Sequence, residues 1–142
     1  MTLTKKEISI LIEIVFSLLF VLIFMPFFYE NQENNLVLIN DLIGKITEIV
    51  IFAVIYFSIS YTLLKLIFKT KITVDERDDM INSKSYKLGY LLYELCLFVF
   101  IGILLSNSTL QNNGEIIFLI LSLLLFVSII KSIYQFYLYR TF

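Results

Sequence analysis

The stretch ISILIEIVFSLLFVLIFMPFF, residues 8–28, contains one charged side chain, Glu13, in 21 positions. About 20 mainly apolar residues are enough for a helix to cross the hydrocarbon core of a bilayer. The two lysines before the stretch are typical of a signal peptide, but no small-x-small cleavage site follows, so we expect the segment to stay attached as an anchor. Thr4 and Glu7 have the spacing of a capping box, which predicts that the helix begins there.

Three further apolar stretches have the length of membrane spans. The four predicted spans cover residues 8–28, about 46–68, 88–105 and about 116–138, with a connector at 69–87. Asn40 or Asp41 could cap the second helix, which would then begin before its apolar core. Because too few residues lie between the spans to form a separate domain, we predict one all-α domain over residues 1–142. Its architecture would be an integral membrane four-helix bundle in contact with the lipid bilayer.

The composition excludes several classes of protein. The chain is 59% hydrophobic and 16% charged, whereas soluble domains are roughly 45–50% apolar and about 25% charged. Its 11 Lys and Arg against 12 Asp and Glu leave no basic surplus for nucleic acid. Histidine is absent and Cys96 is the one cysteine, so the usual ligands and acid/base groups are missing. We therefore predict no catalytic residues, no metal, no cofactor and no enzymatic activity.

The placement of basic residues predicts the orientation. If the spans alternate, ten of the eleven Lys and Arg residues fall on one side, and only Lys45 falls on the other. The ten are Lys5, Lys6, Lys65, Lys69, Lys71, Arg77, Lys84, Lys87, Lys131 and Arg140. Basic residues in short loops are retained in the cytoplasm. We therefore expect a multi-pass protein with both termini and the connector in the cytoplasm. The richness in Ile, Asn and Lys indicates an AT-rich prokaryotic genome, and so the cytoplasmic (inner) membrane of a prokaryotic cell.

The first and third spans are similar. Lys6 and Glu13 match Lys87 and Glu94 at the same offset of 81 residues, and the second and fourth spans each run from an acid to a lysine. The pattern predicts two helical hairpins in parallel orientation, related by an axis along the membrane normal. Chance similarity between Leu- and Ile-rich spans is the alternative.

Four charged residues fall in the inner, cytoplasmic half of the spans: Glu13, Glu94, Lys65 and Lys131. Charges near the middle of a span usually face the bundle interior and pair. Three interpretations are open. The four could form a polar layer on an ion or proton path, they could form structural salt bridges between helices, or the lysines could reach to the inner headgroups. Equal numbers of acids and lysines favour the structural interpretation.

The sequence TVDERDDMINSKSY, residues 73–86, is the most distinctive segment of the connector. Thr73 and Glu76 have capping-box spacing, and acids crowd the first predicted turn, where the helix dipole favours negative charge. We expect the third helix to begin near Val74 and to continue unbroken into the membrane. Val74, Ile81 and Leu88 would form an apolar stripe on the inner ends of the bundle. The acids do not converge, which favours capping or a partner contact over a cation site.

Part of this segment resembles the Asp-Glu-Arg-x-x-x-Ile-x-x-Lys pattern of small, uncharacterised bacterial and archaeal membrane proteins with paired spans. The matching residues, here called the signature, are Asp75, Glu76, Arg77, Ile81 and Lys84. The resemblance covers about a dozen residues and the span layout. It implies the same topology and brings no activity with it.

Two functions follow as expectations. The first is a non-enzymatic module that binds another membrane protein, such as a transporter accessory subunit or an immunity or stress protein. Its basis is the missing catalytic chemistry, the small loops and the charged cytoplasmic helix. The second is a small ion- or proton-coupled transporter or channel that acts as a homo-oligomer, because four helices alone enclose little space.

Overall fold

A computed structural model of the protein describes residues 3–32, 39–69, 75–106 and 113–142. This part of the chain is helical. The helices are α1 (Lys5–Ile23), α2 (Met25–Glu30), α3 (Ile39–Ile67), α4 (Glu76–Ser106) and α5 (Asn113–Thr141). Four helical stretches, with α1 and α2 taken together, are long and apolar enough to cross a membrane. The prediction of an all-α, four-helix architecture is confirmed.

The first span contains a break that the sequence analysis did not predict. Phe24 separates α1 from α2, and Pro26 lies in the first turn of α2. Proline has no backbone N–H, and its ring clashes with the carbonyl four residues earlier, here that of Leu22. The span therefore consists of a long helix and a short one instead of a single helix.

The helix starts agree only in part with the predicted caps. Thr4 and Glu7 form the predicted capping box, with the Thr4 N–H donating to Glu7 Oε2 at 2.7 Å. α3 begins at Ile39, so Asn40 and Asp41 lie inside its first turn and do not precede it, which corrects the predicted cap. The N-cap residue has non-helical backbone angles, so neither Asn40 nor Asp41 is the N-cap of this helix.

α4 is continuous over 31 residues, as predicted. Its first turn is closed by Asp75, whose carbonyl accepts from the Asp78 N–H at 2.8 Å. In return Asp78 Oδ2 accepts from the Asp75 N–H at 3.1 Å. Thr73 and Val74, to which the sequence analysis gave a capping box and an apolar contact, lie outside the described residues.

The helices pack in the order α3, α1, α5, α4. α4 packs against α5, α5 against α1 and α2, and α1 against α3, while the described backbone of α3 approaches neither α4 nor α5. A two-fold axis along the membrane normal would exchange α1 with α4 and α3 with α5. The contact between α1 and α5 would then require an equal one between α3 and α4. The described packing lacks it, so the predicted two-fold relation between the hairpins is wrong.

Aromatic side chains fill the middle of the bundle. Phe20, Phe24 and Phe28 form a buried cluster against which side chains from α3 and α5 pack. Phe16 stacks on Phe52 of α3 with ring centroids 5.9 Å apart, and it also contacts Tyr56. These rings fill the space between α1 and α3 beyond the first two turns of α1.

Candidate functional site

The start of α1, the end of α3, the start of α4 and the end of α5 meet at one end of the bundle, here called the basic end. A cavity of about 480 Å³ lies between them. Its charged lining residues are Lys5, Lys6, Glu13, Lys65 and Asp78. Its uncharged polar lining residues are Ser9, Tyr61, Asn82, Gln135 and Tyr139. All four spans therefore contribute polar groups to one site.

Two ion pairs tie the rim of the cavity together. Lys6 of α1 pairs with Asp78 of α4, and both side chains are largely buried. Arg140 of α5 donates from Nε to Glu7 Oε1 at 2.6 Å. Glu7 is only 5% exposed. A charge at that depth needs partners, and the Thr4 cap and Arg140 provide them.

The start of α4 is also bonded to α5. Arg77 donates to the Tyr139 carbonyl at 3.0 Å. Gln135 Nε2 donates to Asn82 Oδ1 at 2.8 Å. Lys84 Nζ lies 4.2 Å from the centre of the Phe142 ring, within the range of a cation–π contact. These contacts hold the first three turns of α4 on one face.

The structure does not bring the four residues of the predicted polar layer together in one place. Glu13 and Lys65 line the cavity. Lys131 lies on α5, where its stem packs beside Gly89 and its ammonium lies 5.0 Å from the centre of the Tyr86 ring. Glu94 is exposed on α4, one turn after the exposed Tyr90. The ion pairs found among the described residues do not join any two of these four side chains.

The signature residues have different surroundings. Ile81 is fully buried, whereas Leu88, the next position of the predicted stripe, is half-buried. Asp75 closes the first turn of α4 through its backbone. Arg77 and Lys84 make the contacts with α5 described above, and Glu76 is exposed in the first turn. Arg77 and Lys84 thus hold α4 on α5, while Ile81 is part of the buried core.

Sequence reasoning missed several residues of this site. It assigned Glu7 to a cap only and Asp78 to capping or a partner contact, and it gave no role to Gln135 or Tyr61. One feature of the predicted topology could have indicated these residues. The alternating topology places the first turn of α1, the first turn of α4 and the last turn of α5 at one level, where acids and bases from different helices can pair.

No three His, Cys, Asp or Glu side chains of the described ranges group as metal ligands. Comparison of the chain with protein-family models, curated proteins and solved structures finds no match. The fold and the cavity therefore define the protein only as a small multi-span helical protein with a polar site at one end.

Proposed function

We propose that the protein is a non-enzymatic accessory or immunity-type module of a prokaryotic cytoplasmic membrane, which acts by binding another membrane protein. The observation that carries the proposal is the start of α4. One of its faces is bonded to α1 and α5, and the opposite face is exposed. A rigidly held helix that presents an exposed face loses little conformational freedom when a partner binds.

The exposed face is made of Glu76, Asp79, Met80, Ser83 and Lys87. At about 100° per residue, these five positions fall within one arc of about 100°. The face combines both signs of charge with Met80, which is 47% exposed. Methionine adapts its shape to a partner surface, and charges of both signs favour one docking register.

The orientation belongs to the same proposal. Nine of the ten Lys and Arg residues in the described part of the chain fall at the basic end, which supports a cytoplasmic position for that end. Lys45, the exception, pairs with Glu48 at 2.6 Å. The exposed face of α4 would then meet partners from the cytoplasmic side.

The test is photo-crosslinking in cells from a single photoreactive residue. One variant carries it at Met80 and a control carries it at Phe98, which is 74% exposed and lies on the same face of α4 about 27 Å further along. We expect a discrete adduct with a second protein from position 80 but not from position 98, and its loss when Asp79→Lys is added. Lack of an adduct at position 80, together with purification of the chain as a homo-oligomer alone, would contradict the proposal.

A second candidate is a small transporter or channel, and the cavity is the observation that favours it. Glu13 and Lys65 line a space open to the basic end. The aromatic rings around Phe16 fill the α1–α3 contact directly beyond Glu13, so a path through the membrane would need a homo-oligomer. Flux of protons or ions into liposomes that Glu13→Gln abolishes, at unchanged protein stability, would favour this candidate over the first.

A further inference from the structure

The cavity at the basic end has an unbalanced charge. Three lysines and two carboxylates line it. Lys6 is neutralised by Asp78, so Lys5 and Lys65 share the remaining space with the carboxylate of Glu13. No ion pair found in the described part of the chain involves Lys5 or Lys65. The described lining residues therefore carry a net charge of plus one, with two ammonium groups available to an anion.

The side chains next to Lys65 are apolar and exposed, as in a surface that contacts a lipid tail. Leu63, Leu66 and Ile67 on the same turn of α3 are 53%, 66% and 71% exposed. Within the cavity, Ile10 and Leu64 add apolar wall. A ligand that fits this arrangement has an anionic group beside an apolar tail.

The cavity is accessible from the side. The described backbone of α3 does not approach that of α4, although residues of both helices line the space. Among the described residues, helix packing therefore leaves the cavity uncovered between α3 and α4 at the basic end. Lipid can enter through such a gap without crossing the protein core.

We propose that this cavity binds the phosphate headgroup of an anionic phospholipid, with Lys5 and Lys65 as the cationic contacts. Basic pockets between membrane helices on the cytoplasmic side suit such headgroups. Tyr61 and Tyr139, whose hydroxyls can donate to phosphate oxygens, line the same space. Glu13 lies deepest, two turns into α1, and opposes the anion. The site is separate from the exposed face of α4 and does not depend on the proposed partner.

The role of Glu13 makes the proposal specific. If Lys5 and Lys65 attract the phosphate, removing either charge weakens binding, whereas removing the Glu13 charge strengthens it. If these residues were merely structural, all of these changes would lower the lipid affinity. Lys69 provides a matched control, because it is an exposed lysine at the same end that does not line the cavity.

The experiment uses the full chain in an uncharged detergent, with phosphatidylglycerol, phosphatidylcholine or inorganic phosphate added, and measures bound lipid by native mass spectrometry and the shift in Tm. We expect phosphatidylglycerol to bind and to raise Tm, and phosphatidylcholine and inorganic phosphate to have little effect. Lys65→Met should weaken the affinity about fivefold, Glu13→Gln should increase it, and Lys69→Met should leave it unchanged.

Three results would overturn the proposal. The first is equal binding of phosphatidylglycerol and phosphatidylcholine, which would remove the role of charge. The second is an equal Tm shift with inorganic phosphate, which would assign the cavity to a free anion. The third is the same affinity for Lys65→Met and Lys69→Met, or a loss of affinity in Glu13→Gln.

Discussion

The carboxylate of Glu7 joins the two ends of the chain, because Oε1 accepts from Arg140 Nε at 2.6 Å while Oε2 accepts from the Thr4 N–H at 2.7 Å. One buried side chain thus caps α1 and fixes the last turn of α5 against it. The pair lies beside the cavity, and with Lys6–Asp78 it determines how α1, α4 and α5 meet.

We expect Glu7→Gln to destabilise the detergent-solubilised protein by about 1.5–3 kcal/mol, the range for hydrogen bonds to charged groups. The neutral amide lacks the charge with which the Glu7 carboxylate binds the Arg140 guanidinium and accepts from the Thr4 N–H. Thermal unfolding measures the effect, with Glu30→Gln, an exposed acid at the end of α2, as the control. Equal Tm values for the two variants would show that the Glu7–Arg140 contact does not stabilise the fold.

The glycines give a second prediction. A Cβ at Gly114 would overlap the backbone carbonyl of Asn31, whereas a Cβ at Gly102 would meet no atom within 4 Å. Gly114→Ala should therefore cost about 1–3 kcal/mol of stability, because backbone must move. Gly102→Ala should be neutral or stabilising by up to about 1 kcal/mol, because alanine favours helix. Denaturation of both variants in the same detergent tests the packing of α5 on α2, and an unaffected Gly114→Ala would contradict it.

The spans, the Thr4–Glu7 cap and the unbroken α4 could be predicted because they depend on local hydropathy and on side chains three residues apart. The break at Pro26 could also have been predicted, because proline lacks the N–H for one backbone hydrogen bond of the helix. The ion pairs Glu7–Arg140 and Lys6–Asp78 depend on how the helices are positioned relative to one another. Packing between helices determines that position, and no local sequence pattern predicts it.

The predicted polar layer illustrates the same limit of prediction from sequence. Glu13 and Glu94 have equal depth in their spans, but depth does not determine which way a side chain points around the helix axis. Glu13 continues the buried positions Ile10 and Ser17 at helical spacing. The buried positions of α4 include Ile81 and Ser85, and Glu94 falls on the opposite side of the helix. Angular position relative to a buried stripe would have separated the two acids.

The surroundings of Glu94 lead to a third prediction. Lys131 interacts with the Tyr86 ring, Glu94 is exposed, and no ion pair found in the described part of the chain joins the two. We expect the effects of Glu94→Gln and Lys131→Met on unfolding free energy to add within about 0.5 kcal/mol. A double variant more stable than the sum of the single losses would show that the two residues pair as a salt bridge.

We expect the basic end, with the α4 face and the cavity, to lie in the cytoplasm. The most direct measurement is labelling of intact cells with a membrane-impermeant thiol reagent, in a Cys96→Ser background that carries one introduced cysteine. Ser83→Cys reports the exposed face of α4 and Glu30→Cys reports the opposite end, and both positions are exposed. The account predicts labelling of Glu30→Cys in intact cells, and of Ser83→Cys only after the membrane is permeabilised. Labelling of Ser83→Cys in intact cells would contradict it.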